Sequence, residues 1–284
     1  MAGGSMKDIK LRIKSVENTM QITKAMELVA SSKLKKARDR MESARPYFMT
    51  LFNTLSDLAA YTVDFSSPFL VKRPVKKSAY VLIAGDRGLA GGYNNNMFKL
   101  FTAHSQDKNA VVIPVGKKAV DFCKRRNIEI FTEEYSQVED LSSADCTDIG
   151  DLLSDSFEKG EIDEVFICYT TFVSMLSQSP EIIQVLPLIS VNADTYQRNT
   201  ITEYEPDPEE LFSMLVPQFV TGLVYGAVTE SWASELAARR TAMDAASKNA
   251  QEMVSGLSLQ YNRARQGSIT QELTEIIAGA NAIS

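Results

Sequence analysis

The densest run of residues that could do chemistry is GDRGLAGGYNNN (residues 85–96), directly after the apolar stretch SAYVLIA. Glycines between a strand and a helix let backbone N–H groups close around a phosphate. Gly85, Asp86, Arg87, Gly88, Gly91 and Gly92 do not follow the dinucleotide spacing G-x-G-x-x-G. Nor does a Gly-Lys-Ser/Thr end the loop, so it supplies no lysine for phosphates and no hydroxyl for magnesium. The competing reading is a packing loop beside a helix, because only glycine tolerates so close a backbone approach. Asp86 and Arg87 are then candidates for polar contact with a partner.

Other catalytic signals are weaker. His104 is the sole histidine, in FTAHSQD, and no acid–serine or acid–cysteine constellation surrounds it. Cys123, Cys146 and Cys168 are odd in number, widely spaced and without a C-x-x-C pair, which predicts free buried thiols rather than a disulfide or metal site. No carboxylate pair or metal-ligand spacing stands out, so no catalytic residue, cofactor or metal is expected.

The loop needs an element on each side. SAYVLIAG, NAVVIPVG, IEIFTEEY and DEVFICYTTF are short β-branched and aromatic runs, with EIIQVLPLI a fifth. Between them lie the helix-like stretches YNNNMFKLFTAHS, KKAVDFCKRRN and CTDIGDLLSDSFEKG. Alternation of strand and helix predicts a layered α/β domain with a largely parallel sheet, Rossmann-like, at about residues 75–205. The polar stretch 192–208, ending in EYEPDPEE, reads as a loop and then the acidic first turn of a returning helix.

This domain is inserted between two heptad arms, residues 1–60 and 209–284. Ile13, Val16, Met20, Thr23, Glu27, Ala30, Leu34, Ala37, Met41, Ala44, Phe48, Leu51, Leu55 and Leu58 fall at alternating steps of three and four. Only Thr23 and Glu27 in that series are polar. Leu236, Met243, Ala250, Leu257 and Ala264 recur every seven residues at the other end, with Ala246 and Met253 flanking. A 3.5-residue period specifies a supercoiled seam, and two such arms in one chain predict an antiparallel two-helix coiled coil. The first arm, at ~1.5 Å per residue, would reach roughly 80 Å. Pro46 removes a helical hydrogen bond and predicts a kink or restart.

Charge is uneven. Residues 7–45 hold 11 Lys/Arg against five Asp/Glu, net +6, on a chain whose total is −6. A solvated coiled-coil flank, an acidic protein partner and nucleic acid all fit a basic helix, although DNA-gripping zippers keep their basic block outside the heptads. No run of about 18 apolar residues is apparent, so no membrane span is expected, and MAGGSMKDIK lacks the apolar core of a signal peptide. The residues alone leave open a coiled-coil interaction protein, a nucleotide-dependent enzyme using residues 85–92, and a nucleic-acid-binding coiled coil.

Four segments are more specific than their periodicity: IKSVENTMQITKAMELVASSKLKKA (13–37), GDRGLAGGYNNN (85–96), SELAARRTAM (234–243) and YNRARQGSITQELTEIIAGANAI (261–283). The last contains I-T-x-E-x-x-E-x-x-x-G-A, met by Ile269, Thr270, Glu272, Glu275, Gly279 and Ala280. Together they resemble the gamma subunit of F-type ATP synthase, bacterial type, over essentially the whole chain. The regulatory insert and cysteine pair of chloroplast relatives are absent, so thiol control of that kind is not expected.

The resemblance implies a non-catalytic rotor, the central stalk that couples c-ring rotation to conformational change in the beta subunits. Its partners would be a hexamer of alpha and beta subunits, the epsilon subunit and the c-ring, with one copy per complex. Nucleic-acid binding and direct membrane insertion are not implied. The complex would hold the chain peripherally at the cytoplasmic face of the bacterial plasma membrane. Carried over by motif, the rotor–stator contacts are Lys24, Met26, Glu235, Arg239, Gln266, Thr270 and Glu272. Ile276, Ile277 and Ile283 fall in the apolar tip that turns in the hexamer collar, and Tyr204, Glu205 and Asp207 at the foot that meets c-ring and epsilon.

Overall fold

The computed structural model describes residues 6–61, 67–132, 135, 137–188, 205 and 207–283. Two helices dominate, α1 (Met6–Tyr61, 56 residues) and α5 (Pro208–Ile283, 76 residues). Between them in sequence come β1 (Ser78–Ile83), α2 (Tyr93–Ser105), β2 (Ala110–Val115), α3 (Lys117–Arg126), β3 (Glu129–Ile130), α4 (Ser143–Glu158), β4 (Glu164–Phe172) and β5 (Gln178–Leu186). By packing, the chain forms two compact units: Met1–Ala30 with Arg240–Ser284, and Ser31–Arg239.

In the larger unit the five strands are ordered β3-β2-β1-β4-β5, parallel except for β5, which pairs antiparallel with β4. All six residues of β1 are buried. Its side chains alternate between two cores, as the period of two in a strand requires. Ala79, Val81 and Ile83 face a large cluster that includes Leu153 and Phe157 of α4, Leu55 and Leu58 of α1, and Phe212, Val216 and Val220 of α5. Tyr80, Leu82 and Ala84 face a second cluster with Met97 and Phe101 of α2 and Phe122 of α3. The sheet is thus covered on both sides, which explains why its strands read as near-continuous apolar runs.

Two glycines set close approaches. Gly116 joins β2 to α3 at φ +93°, where a Cβ would lie 2.0 Å from the Ala84 carbonyl oxygen. Gly150 lets α4 touch α5, since a Cβ there would lie 2.2 Å from Thr221 Oγ1.

Several boundaries differ from the expectations. α4 starts three residues earlier than CTDIGDLLSDSFEKG, because Ser142 and Asp145 form a reciprocal capping box. Among the described residues of IEIFTEEY, only two form a strand. β5 starts before EIIQVLPLI because it turns back from β4 and pairs with it along its whole length. Helix α1 passes Pro46 without interruption. Pro46 and Glu42 are both exposed, so the carbonyl that loses its donor faces water. Contrary to the expectation that no segment qualifies, α5 contains an 18-residue window of mean hydropathy 1.6, enough by length and composition to cross a membrane. Its charge-free stretch 211–228 contributes Phe212, Val216, Phe219, Val220, Val224, Ala227 and Val228 to the core of the α/β unit. All three cysteines are free and buried, as expected. Burial pushes the thiols of Cys123 and Cys146 up to about 12.

The seam of the smaller unit also needs a correction. Met243, Ser247 and Ala250 are buried and Val254, Leu257, Tyr261 and Ala264 half-buried along α5; Ala246 is half-buried too, whereas Met253 is 47% exposed. The alternating steps of four and three run through Ser247 and Val254; the half-buried Ala246 borders that seam, and Met253 lies outside it. Hydrophobicity alone points to Met253 and past Ser247, because one seam residue is polar.

Candidate functional site

Among the described residues of the smaller unit, the seam contains one buried polar pair. Thr23 Oγ1 and Ser247 Oγ lie 2.7 Å apart, and Thr23 donates to the Met20 carbonyl at 3.0 Å. A hydroxyl has one hydrogen, so Ser247 is the donor between the two. Charges surround this pair. Lys24 Nζ lies 2.8 Å from Glu27 Oε2, and Lys248 Nζ 2.8 Å from Asp244 Oδ2. The hydrogen bond from Lys248 holds the Asp244 carboxyl below its ordinary range, helped by Lys24 and Arg240, and Asp244 in turn raises Lys248. The Lys24 side chain is 58% exposed, so its pairing with Glu27 leaves it open to another partner. Met26 is half-buried beside it.

In the larger unit the glycine loop packs against α5. Gly85 N–H donates to Asn94 Oδ1 at 2.9 Å, and the Gly85 carbonyl accepts from Lys118 N at 3.0 Å. A Cβ at Gly85 would lie 3.1 Å from Glu235 Oε1. Asp86 accepts the Val138 N–H at 3.1 Å and the Lys117 N–H, at the start of α3, at 3.3 Å. Lys33 of α1 holds the same connecting segment through Glu139 at 2.5 Å. Of the amides at the start of α3 that a phosphate would use, Lys117 is therefore met by a carboxylate of the chain itself and Lys118 by the Gly85 carbonyl. Helix α5 completes the frame. Ser231 Oγ accepts the Thr170 N–H, Ser234 Oγ donates to the Thr170 carbonyl, Glu230 accepts the Phe172 N–H, and Tyr93 donates to the Ser231 carbonyl. Glu235 is ion-paired with Arg239 one turn on, both nearly buried. Burial raises the Glu235 pKa against the opposing effect of Arg239.

A family model described as ATP synthase matches residues 5–283. The chain is 43% identical over 299 aligned residues to a protein of Acetobacterium woodii named "ATP synthase gamma chain, sodium ion specific", covering 99% of each. It is 42% identical to an ATP synthase gamma chain of Alkaliphilus metalliredigens, again covering 99% of each. The chain belongs to the ATP synthase gamma-chain family. Among solved structures, the fold resembles a chain of the Euglena gracilis mitochondrial ATP synthase (OSCP, F1 and c-ring), with a TM-score of 0.69 at 20% identity over 99% of this chain and 95% of that one. A chain of the Tetrahymena thermophila central stalk and c-ring gives a TM-score of 0.61 at 24% identity over 80% and 99%. The readings as a nucleotide-dependent enzyme or a nucleic-acid-binding coiled coil are not favoured.

As a gamma chain, the protein places its predicted contact residues in several groups. Gln266, Thr270 and Glu272 are exposed on the last part of α5, with Thr270 Oγ1 donating to the Gln266 carbonyl at 2.9 Å. Lys24 lies level with Ser247, about 20 residues or roughly 30 Å along α5 from Gln266. Ile276 and Ile277 are 67% and 60% exposed, and Ile269 and Leu273 extend the same apolar surface. Ile283 ends α5, and its side chain lies outside the described residues. Glu235 and Arg239 belong to the larger unit and are nearly buried against each other, so their first partners are within the gamma chain. Glu205 and Asp207 are exposed; Asp207 Oδ1 accepts the Glu209 N–H at 3.1 Å at the start of α5. Tyr204 lies outside the described residues. Ser247, Ser231, Ser234 and Glu230 were not singled out from the gamma-chain sequence. Carrying the three-and-four spacing strictly through α5 would have found Ser247; the other three answer to strand β4, which no local pattern names.

Proposed function

We propose that this chain is the rotating central stalk of an ATP synthase and is not itself catalytic. Its coiled coil turns inside a hexamer of alpha and beta subunits, and its α/β unit docks on the epsilon subunit and the c-ring. One copy serves each complex, held peripherally at the cytoplasmic face of a bacterial plasma membrane. What carries this reading is the 43% identity to a gamma chain across 99% of both proteins.

The geometry supports it. A rotor must be stiff and must not bind its sleeve too well, since each ~1.4 kcal/mol of fixed contact is tenfold in an equilibrium constant. The last turns of α5 expose Ile269, Leu273, Ile276 and Ile277, and no charge follows Glu275. An apolar surface without ionic partners can turn in an apolar collar with no ion pair broken at each step. Lys24 and Met26, a flexible cation and a soft thioether, suit successive contacts with an acidic lever on each beta subunit. Torque applied at the α/β unit would pass into α1 and α5, which are continuous through both units.

Reconstitution with alpha and beta subunits tests this. ATPase turnover rises when the chain is added, and a bead attached to the α/β unit rotates during hydrolysis. A stable complex that hydrolyses ATP while the bead stays still would reject the rotor mechanism.

A further inference from the structure

Helices α2 and α3 cover the same face of the sheet and leave a groove of about 830 Å³ between them. Its floor is the stacked pair Phe98 and Phe122, with ring centroids 4.3 Å apart and planes within 5°. Its rims carry Lys99 on α2 and Lys118, Arg125 and Arg126 on α3. Among the described residues no Asp or Glu lines it, on a chain that has 36 acids to 30 bases. Among the described residues Lys99, Arg125 and Arg126 form no ion pair; Lys118 reaches Asp121 at 3.6 Å, one turn along its own helix. Arg126 lies 5.7 Å from the Phe122 ring centroid, and Arg125 Nε donates to the Asp121 carbonyl.

We propose that this groove docks an acidic, partly apolar segment of a partner protein. The cations are strung out rather than convergent: Lys118 stands near one end of α3 and Arg125 and Arg126 at the other, about 10 Å apart along the helix. A single phosphate could meet only one end. A segment with carboxylates about two turns apart and apolar side chains between them meets both ends and the aromatic floor. From Asn94 to Gln106 the groove follows α2 for roughly 18 Å, the length of a helix of about twelve residues. Exposed rim charges of this kind set partner choice and association rate more than they set affinity.

A photo-cross-linking benzoylphenylalanine in place of Ala103, an exposed lining residue, tests the proposal in cells making the full chain, with the cross-linked segment identified by mass spectrometry. The expected product is one protein segment with an excess of acids. Its yield falls about tenfold or more in Lys99→Glu/Arg126→Glu and is kept in Lys99→Arg/Arg126→Lys, with unchanged melting of the purified chains. No cross-link, a cross-link to phospholipid, a segment without acidic excess, or indifference to the charge reversal overturns the proposal. The cross-link requires no rotation, so its outcome is separate from that of the bead assay.

Discussion

Ser247 donates its hydroxyl hydrogen to Thr23 across 224 positions of sequence, 2.7 Å apart in a largely apolar seam whose other polar member on α1 is Glu27. Thr23 has already given its own hydrogen to Met20, so the bond has a direction. It also has a use, because a polar pair in a heptad seam penalises any slip of one helix past the other.

That direction makes the two single substitutions unequal. Thr23→Val removes the acceptor and strands the Ser247 donor, costing about 1–2 kcal/mol. Ser247→Ala leaves Thr23 satisfied by Met20 and costs within about 1 kcal/mol. The double variant is less destabilised than the sum. A double-mutant cycle by denaturant unfolding checks this, and equal single costs would contradict the assigned direction.

The corrected seam separates Leu257 from Met253. Leu257→Lys places an unpaired charge at a half-buried seam position and lowers stability by roughly 2–4 kcal/mol, with torque falling alongside. Met253→Lys falls on the exposed side and changes stability by no more than about 0.5 kcal/mol. Thermal melting of the pair reads the register directly.

At Gly150 a new methyl group would meet Thr221 Oγ1 at 2.2 Å and the Thr221 backbone nitrogen at 2.9 Å. Gly150→Ala therefore destabilises the α/β unit by about 1–3 kcal/mol or more, because a helix backbone has to move. Gly256→Ala, at a helix position with open space around it, stabilises by up to about 1 kcal/mol. The opposite signs, measured by denaturation, distinguish close packing from glycine's effect on the unfolded chain.

The capping box of α4 carries a pH signature. Hydrogen bonds from Ser142 hold the Asp145 carboxyl below its ordinary value. A depressed folded pKa means the stability it brings is present above the unfolded pKa and is lost as pH falls through the folded one. Asp145→Ala should cost about 0.5–1.5 kcal/mol at neutral pH. The difference from the native chain should vanish in acid below the carboxylate range, as read by unfolding at a series of pH values.

Lys24→Ala should change coupling between hydrolysis and rotation while melting stays within about 0.5 kcal/mol, since an exposed pair such as Lys24 with Glu27 contributes little. Rotation and ATPase assays on the same preparation check both halves. A large fall in melting temperature would mean that Lys24 holds the fold.

Much of this architecture is local in origin and was legible for that reason. The heptads at Ile13, Met20 and Leu34, the apolar runs of β1, β2 and β4, and the acidic first turn of α5 each follow from spacing within one segment. Capping by Ser142 and Asp145 is equally local, since a serine with an acid three residues on is a start signal within one segment.

Other features depend on which segments meet. Ser247 reads as a surface serine until Thr23 is placed opposite it, and Met253 reads as a seam residue until the helix pair excludes it. The apolar window of α5 looks fit for a membrane until the sheet and α4 cover Phe212, Val216 and Val220. Glu235 belongs to a contact motif in sequence, yet the absent side chain of Gly85 makes room for it in the interior. Sequence alone determined that two heptad arms flank an α/β insert, because periodicity and strand propensity are properties of a single segment. Only the tertiary structure decided which residue Ser247 meets, the direction of that polar bond and the burial of Glu235, because each requires a partner far along the chain.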